Sequence, residues 1–211
     1  MLGALALLAT AGTLAVLSLA AAPAGSSQQC GPVVRPAPKP DGGRQPPRQR
    51  LDPRKRYDVI LATNCGSFTI RLDVRTSPRT TASFVALMRS GFFNRTIFHR
   101  IVPGFVIQGG DPTGRGSGGP GYTVVDRPPP RTVYTRYVVA MAKTAADPPG
   151  TSGSQFFVVT GTATHLPADY ALLGKVTAGR RVVDRIGRLG DPATQRPTRV
   201  IVLERARVRV S

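Results

Sequence analysis

From residue 57 onward, apolar and polar positions follow short alternating runs punctuated by turn residues. YDVILAT (57–63) and SFTIRLDV (67–74) flank Asn64-Cys65-Gly66, a pattern that predicts a hairpin. Ser77-Pro78 then offers an N-cap and a proline at the first helical position. Phe84, Leu87 and Met88 follow at helical spacing, and Gly91 is expected to close that helix. Further strands are predicted at 97–102, 105–108, 137–142, 155–160 and 170–176. A second helix is expected near 179–188 with Val182, Val183 and Ile186 inward, and a last strand at 199–210, where VIVLERARVRV alternates. Many short strands with only two helices argue a mainly β fold, an antiparallel barrel with helical caps.

Ahead of this unit the texture differs. Residues 2–22 contain no charged side chain, enough for an apolar helix that crosses a bilayer in roughly 20 residues. The same run also reads as the apolar part of a secretory signal, with Ala22-Pro23-Ala24 as the cleavage site. The expectation for residues 1–24 is therefore a signal peptide or a membrane anchor. A signal also needs basic residues ahead of its apolar part, which would lie upstream of Met1. Residues 25–56 read as a linker. Prolines at 32, 36, 38, 40, 46, 47 and 53 forbid a helix, and eight basic residues stand against Asp41 and Asp52. A solvated, extended spacer is expected there, and without aromatic residues it has nothing to stack on bases.

Composition narrows the chemistry. The 211 residues include 29 Lys and Arg against 11 Asp and Glu, a net charge of +18, which makes nucleic acid and anionic membranes the first partners to consider. Residues 57–211 carry 21 basic residues against 9 acidic ones, so the charge is spread through the chain and is not confined to a tail. Two cysteines and two histidines exclude four-cysteine and histidine-rich metal sites, and no metal or other cofactor is expected. Gly114-Arg115-Gly116-Ser117-Gly118-Gly119 fits G-x-G-x-x-G. It runs into Pro120-Gly121 instead of opening a helix, which argues against a phosphate cradle. Gly153-Ser154-Gln155 is not a nucleophile elbow, and with Glu204 the only glutamate there is no pair of catalytic carboxylates to propose.

The richest segment is Phe98-His99-Arg100-Ile101-Val102-Pro103-Gly104-Phe105-Val106-Ile107-Gln108-Gly109-Gly110-Asp111. Val106 and Gln108 share one strand face, and a turn at Pro103-Gly104 would bring Arg100 back beside it. That reading leaves two options: an arginine aimed by a glutamine over an apolar pocket, or an ordinary hairpin with a surface arginine. The run resembles the signature of the cyclophilins, a family of peptidyl-prolyl cis-trans isomerases, and Gly153-Ser154-Gln155-Phe156-Phe157 resembles its second hallmark. The similarity continues through Phe84 to Gly91, Gly118 to Tyr122, Val139 to Ala142 and Leu173 to Val176, and so spans residues 57–211 in order.

The resemblance implies a closed eight-stranded antiparallel barrel capped by two helices, acting as a monomer on proline-containing unfolded or flexible polypeptides. By motif position Arg100 resembles the catalytic arginine and Gln108 the residue that orients it. Phe105, Val106, Phe157 and Leu166 resemble the proline pocket, with Val106 in place of a common methionine. Ala142 and Gln155 match the neighbouring peptide groove, His99 matches the family's histidine beside the arginine, and Tyr170 takes a rim position. Lys143 stands where many members have asparagine. His165 stands where the best-known eukaryotic members carry tryptophan, so only weak cyclosporin binding is expected. The competing readings are a proline-binding scaffold with little turnover and an electrostatic nucleic-acid binder, although no specific nucleic-acid recognition is expected.

Cys30 and Cys65 lie 35 positions apart on a chain with an export-like segment, which suggests a disulfide pinning the linker to the barrel. The alternative is two free thiols in a reducing compartment. Basic residues follow the apolar run and none precede it, which favours a cytoplasmic domain by charge bias, but the first of them, Arg35, is distant from Ala22. The expected location is membrane-anchored or secreted, with the domain on the extracytoplasmic side.

Overall fold

The computed structural model describes residues 29–162 and 165–211, so the apolar run at 2–22 and its expected helix lie outside the described residues. Among the described residues no helix is long and apolar enough to cross a membrane. The first hairpin forms as β1 (Tyr57–Thr63) and β2 (Gly66–Leu72), with Thr63 opposite Gly66 across the turn. Helix α1 (Pro78–Arg89) follows, then β3 (Thr96–Val102), β4 (Val106–Gly109), β5 (Val124–Val125) and β6 (Val138–Met141). The chain continues through β7 (Thr151–Ser152), β8 (Phe156–Val159), β9 (Leu172–Ala178), α2 (Arg180–Gly187) and β10 (Val202–Val210). Eight strands close a barrel in the order β1-β10-β3-β4-β8-β6-β9-β2, every pairing antiparallel.

Inward positions of these strands build the core. Val59, Leu61, Phe68, Ile70, Ile101, Ile107 and Phe156 are all but inaccessible to solvent. Helix α1 adds Phe84, Leu87 and Met88 to the same cluster, and α2 adds Val183 and Ile186, with Val182 partly buried against it. Phe84, Phe93, Phe98 and Phe156 meet largely edge to face around Phe156, whose ring centroid lies 5.5–6.2 Å from the other three. Helix α1 stops where expected. Gly91 takes φ +70°, and its amide reaches the carbonyl of Met88.

Three features depart from the sequence reading. Ser77 precedes α1, but its hydroxyl makes no capping bond; the first turn is capped instead from 46 positions away, where Asp126 accepts from the Thr80 amide at 2.6 Å. The two-residue strands β5 and β7 pair with each other outside the barrel, and two residues carry too little pattern to predict. The third departure is the proline-rich segment. It is extended and mostly exposed, as its prolines and charges require, yet it is no free spacer: hydrogen bonds and a disulfide lay it along the barrel as a strap.

The strap is attached at several points. Cys30 and Cys65 are bonded, which ties it to the tip of the first hairpin, and Gly31 donates to the Asn64 carbonyl. Closing a 35-residue loop in this way stabilises the fold by roughly 3–4 kcal/mol in the chain-entropy account. Further along, the amides of Lys39, Gly42 and Arg44 donate to the carbonyls of Pro112, Gly119 and Pro120. Asp41 accepts from the Gly119 amide. Backbone passes so close at Gly121 (φ +89°) that a Cβ there would lie 2.9 Å from the Gly42 Cα. The Lys39 ammonium ends over the turn that follows α1, donating to the carbonyls of Gly91, Phe92 and Asn94.

Candidate active site

Strands β3, β4 and β8 lie side by side, and their register places the candidate residues. Arg100 pairs with Gln108 across β3 and β4, and Gln108 pairs with Phe157 across β4 and β8. A bulge between Phe98 and Arg100 shifts the register of β3 just before the arginine. The guanidinium is half-buried, and two side-chain amides hold it. Its Nη1 donates to Gln108 Oε1 at 3.3 Å, and its Nε donates to Gln195 Oε1 at 2.8 Å. Gln108 passes its own amide hydrogen to Gln155 Oε1 at 3.0 Å. Gln155 then donates to the carbonyls of Gly116 and Gly118 at 2.9 and 3.0 Å. The relay is neutral throughout, so the positive charge of Arg100 meets no carboxylate within it.

Below this relay lies an apolar floor separate from the main core. Val106, Tyr134, Ala140, Phe157 and Val159 form its buried part, and Phe105, Ala142, Leu166 and Tyr170 pack against them. Phe157 meets Tyr170 edge to face, with ring centroids 5.4 Å apart. Tyr134 fixes the Tyr170 backbone from both sides: its hydroxyl donates to the Tyr170 carbonyl at 2.6 Å and accepts from the Tyr170 amide at 2.9 Å. Burial first of all pushes the Tyr134 phenol up to about 12, so it remains a donor throughout the physiological range.

The wall beyond Gln155 is the glycine-rich loop. Asp111, wholly buried, accepts from the amides of Thr113, Arg115 and Gly116 and from the Thr113 hydroxyl. Burial alone would raise its pKa, but the combined hydrogen bonds outweigh that and hold the carboxyl below its ordinary range. The glycines thus wrap a carboxylate of the protein itself, in keeping with the absence of a phosphate cradle. The strap braces the outer side of the same loop.

Nine of the twelve expected residues gather here: Arg100, Gln108, Phe105, Val106, Ala142, Gln155, Phe157, Leu166 and Tyr170. His99 points elsewhere. Its ring packs beside Gly116, with both nitrogens buried and without a hydrogen-bond partner. Burial is the largest cause holding its pKa below the usual histidine value, with Arg100 and Arg35 adding to the shift and Asp111 opposing it. Lys143 folds back on its own loop, donating to the carbonyls of Thr144 and Asp147, with its ammonium 5.7 Å from the Tyr170 ring centre. His165 is exposed. Sequence reading missed Gln195 and Tyr134. Gln195 lies 95 positions from Arg100 in a loop at φ +57°, where nothing local marks it. Tyr134 follows the prolines at 128–130 and carries no periodic signal.

No group of three or more His, Cys, Asp or Glu side chains among the described residues could hold a metal ion. The site's chemistry rests on one cation, neutral amides and an apolar floor. Comparison with known proteins gives this arrangement its context. Residues 58–208 match the family model described as cyclophilin type peptidyl-prolyl cis-trans isomerase/CLD. The chain is 38% identical over 164 residues to peptidyl-prolyl cis-trans isomerase A of Mycobacterium tuberculosis, covering 69% of this chain and 88% of that protein. It is 37% identical over 155 residues to peptidyl-prolyl cis-trans isomerase-like 1 of Aspergillus fumigatus, covering 72% and 94%. Among solved structures it is similar to a cyclophilin-type peptidyl-prolyl cis-trans isomerase of Cryptosporidium parvum crystallised in the presence of the dipeptide Ala-Pro. That match has a TM-score of 0.67 and 31% identity over 72% of this chain and 98% of that one. With a family model matching most of its length, a barrel of the same kind and named isomerases among its relatives, this chain belongs to the cyclophilin-type peptidyl-prolyl cis-trans isomerases.

Proposed function

We propose that Arg100 is the catalytic residue of this isomerase and that the X–Pro bond turns between it and the floor of Phe105, Val106, Phe157 and Leu166. Rotation about the bond faces a barrier of about 18–20 kcal/mol, because amide resonance is lost at the perpendicular geometry. No bond is made or broken, so no nucleophile is needed. In the twisted state the prolyl nitrogen becomes pyramidal and basic, and a cationic donor beside it stabilises that state more than the planar one. The apolar floor holds the pyrrolidine ring while the chain on the other side of the bond turns. A guanidinium suits the task because its rigid fork can be aimed by two partners. The observation that carries this reading is the clamp of Arg100 between Gln108 and Gln195, which aims the charge without cancelling it.

Proline-containing polypeptides are the substrates, and the Ala-Pro dipeptide present with the Cryptosporidium relative supports this. The Cys30–Cys65 bond and the apolar run at 2–22 together support an oxidising, extracytoplasmic setting, with residues 1–24 as signal or anchor. An exposed His165 where the eukaryotic indole would stand supports weak cyclosporin binding, and nanomolar inhibition in a titration would overturn that part. The catalytic reading is tested by NMR exchange spectroscopy on a proline tetrapeptide with the full chain. Cis and trans resonances should exchange far faster than the uncatalysed tens to hundreds of seconds. Exchange no faster than in buffer would leave a proline-binding scaffold instead.

A further inference from the structure

A second depression lies beside the site, on the far side of the glycine-rich loop. It has a volume of about 530 Å³ and is lined by Arg35, His99, Arg115, Arg196 and Arg199, together with apolar and backbone atoms of 97–98 and 197–201. The groove adjoins the catalytic arginine along two walls. His99 precedes Arg100 on β3, and Arg196 follows Gln195, which holds the guanidinium. The third wall, Gly114-Arg115, belongs to the loop whose next residue, Gly116, accepts a hydrogen bond from Gln155. The groove and the proline site therefore share three segments: the β3 run His99-Arg100, the loop Gln195-Arg196 and the glycine-rich loop.

The charge of the groove is one-sided. No carboxylate lines it among the described residues, and none of its four arginines forms an ion pair among them. Asp111 is close, but its oxygens are spent on loop amides and the Thr113 hydroxyl. His99 stays neutral under burial, so the charge is that of the arginines. Arg35 is supplied by the strap, where its guanidinium donates to the Gly114 carbonyl at 3.1 Å. Each of these arginines is exposed and individually weak, but four in one concave site without counter-charge produce a summed positive field.

We propose that this groove is a subsite for carboxylate side chains, so that the isomerase prefers X–Pro bonds with Asp or Glu within about two residues of the proline. The proposal rests on the placement of catalysis at Arg100 and adds the substrate class to it. Its test uses the full chain and three peptides: a neutral one with Gln at positions two before and two after the proline, and two others with Glu at one of those positions. At low ionic strength one Glu peptide should be turned over with kcat/KM about fivefold above the Gln peptide. High salt should erase that margin. The double variant Arg35→Gln/Arg199→Gln should lose the preference while turning over the Gln peptide at the unchanged rate. The double variant Arg205→Gln/Arg207→Gln, which removes the same charge from β10, should keep it. Equal rates on all three peptides would overturn the subsite while leaving the isomerase assignment intact. Equal loss of preference in both double variants would also overturn it, assigning the effect to overall charge. Turnover of none of the peptides would overturn the catalytic reading, and the subsite with it.

Discussion

Two arginine sites on the same barrel are built on opposite principles. At the seam of β1, β2 and β10, Asp58 lies between Arg71 and Arg209, accepting from Arg71 Nε at 3.0 Å and from Arg209 Nη2 at 3.0 Å. Its carboxylate is buried, and the Arg71 hydrogen bond is the largest cause that holds its pKa below the ordinary range. On β3, the strand next to β10, Arg100 is held as firmly, but by the amides of Gln108 and Gln195. Three adjacent strands are joined in the first case, and one carboxylate offsets part of the charge of two arginines. In the second the side chain is fixed and the charge is left available. An arginine that braces and the arginine proposed to catalyse differ here in the partner's charge, not in how many bonds hold them.

Substitutions can break that contrast. The largest effect is expected at Arg100→Ala, which should lower kcat/KM for a proline tetrapeptide by about 10²–10³, the range for removing a transition-state donor. Its melting temperature should stay near that of the parent. A melting temperature lowered as much as for loss of a seam partner would put Arg100 with the bracing arginines. Asp58→Asn should do the reverse, costing about 2 kcal/mol of stability at pH 7 in denaturant titration with turnover retained, since both arginines are partly solvated. The pH dependence has a definite sign. A carboxyl depressed in the folded state contributes above its unfolded value, near 4, and loses that contribution as pH falls through the folded value. Parent and Asp58→Asn should therefore draw together in stability as pH falls below about 4 and meet only below the depressed folded value.

Gln195→Glu sharpens the comparison by placing a carboxylate where the site has an amide. The arginine would still be clamped but partly neutralised, and kcat should fall about tenfold with KM held. Gln195→Ala, which leaves Gln108 in place, should cost less; a larger loss for Ala than for Glu would make orientation, not available charge, the function of Gln195. The smallest effect belongs to His99. Its folded pKa is depressed, so the unfolded chain takes up the proton first and stability declines as pH drops below about 6.5. His99→Gln should flatten that decline in melting temperature between pH 6.5 and 5 without altering turnover of a neutral peptide.

How much of this could be read from the chain depended on whether the signal was local. Alternation located the eight barrel strands to within a few residues, because a one-residue slip would turn buried Val, Ile and Phe outward. Arg100, Gln108 and Phe157 were legible from motif position, and they sit on adjacent, regularly paired strands. Gln195, Asp126 and Tyr134 were not, since each acts across 36 to 95 positions through a single polar atom. The strap was misjudged for a related reason. Its prolines announced an extended chain, but its attachment is made mostly by backbone amides and carbonyls, which every sequence possesses.

That attachment bears on where the protein can be cut. A fragment starting at Tyr57 would contain every barrel strand and every residue of the proposed catalytic site, yet it would lack Cys30 and Lys39. Cys65, now paired and buried at a hairpin tip, would become a lone thiol there, ready to link two molecules under air. The carbonyls of Gly91, Phe92 and Asn94 would lose the ammonium that gathers them. A recombinant form begun just ahead of Cys30 keeps Cys65 paired and the turn after the first helix gathered, so the smallest faithful version of this enzyme is longer than its barrel.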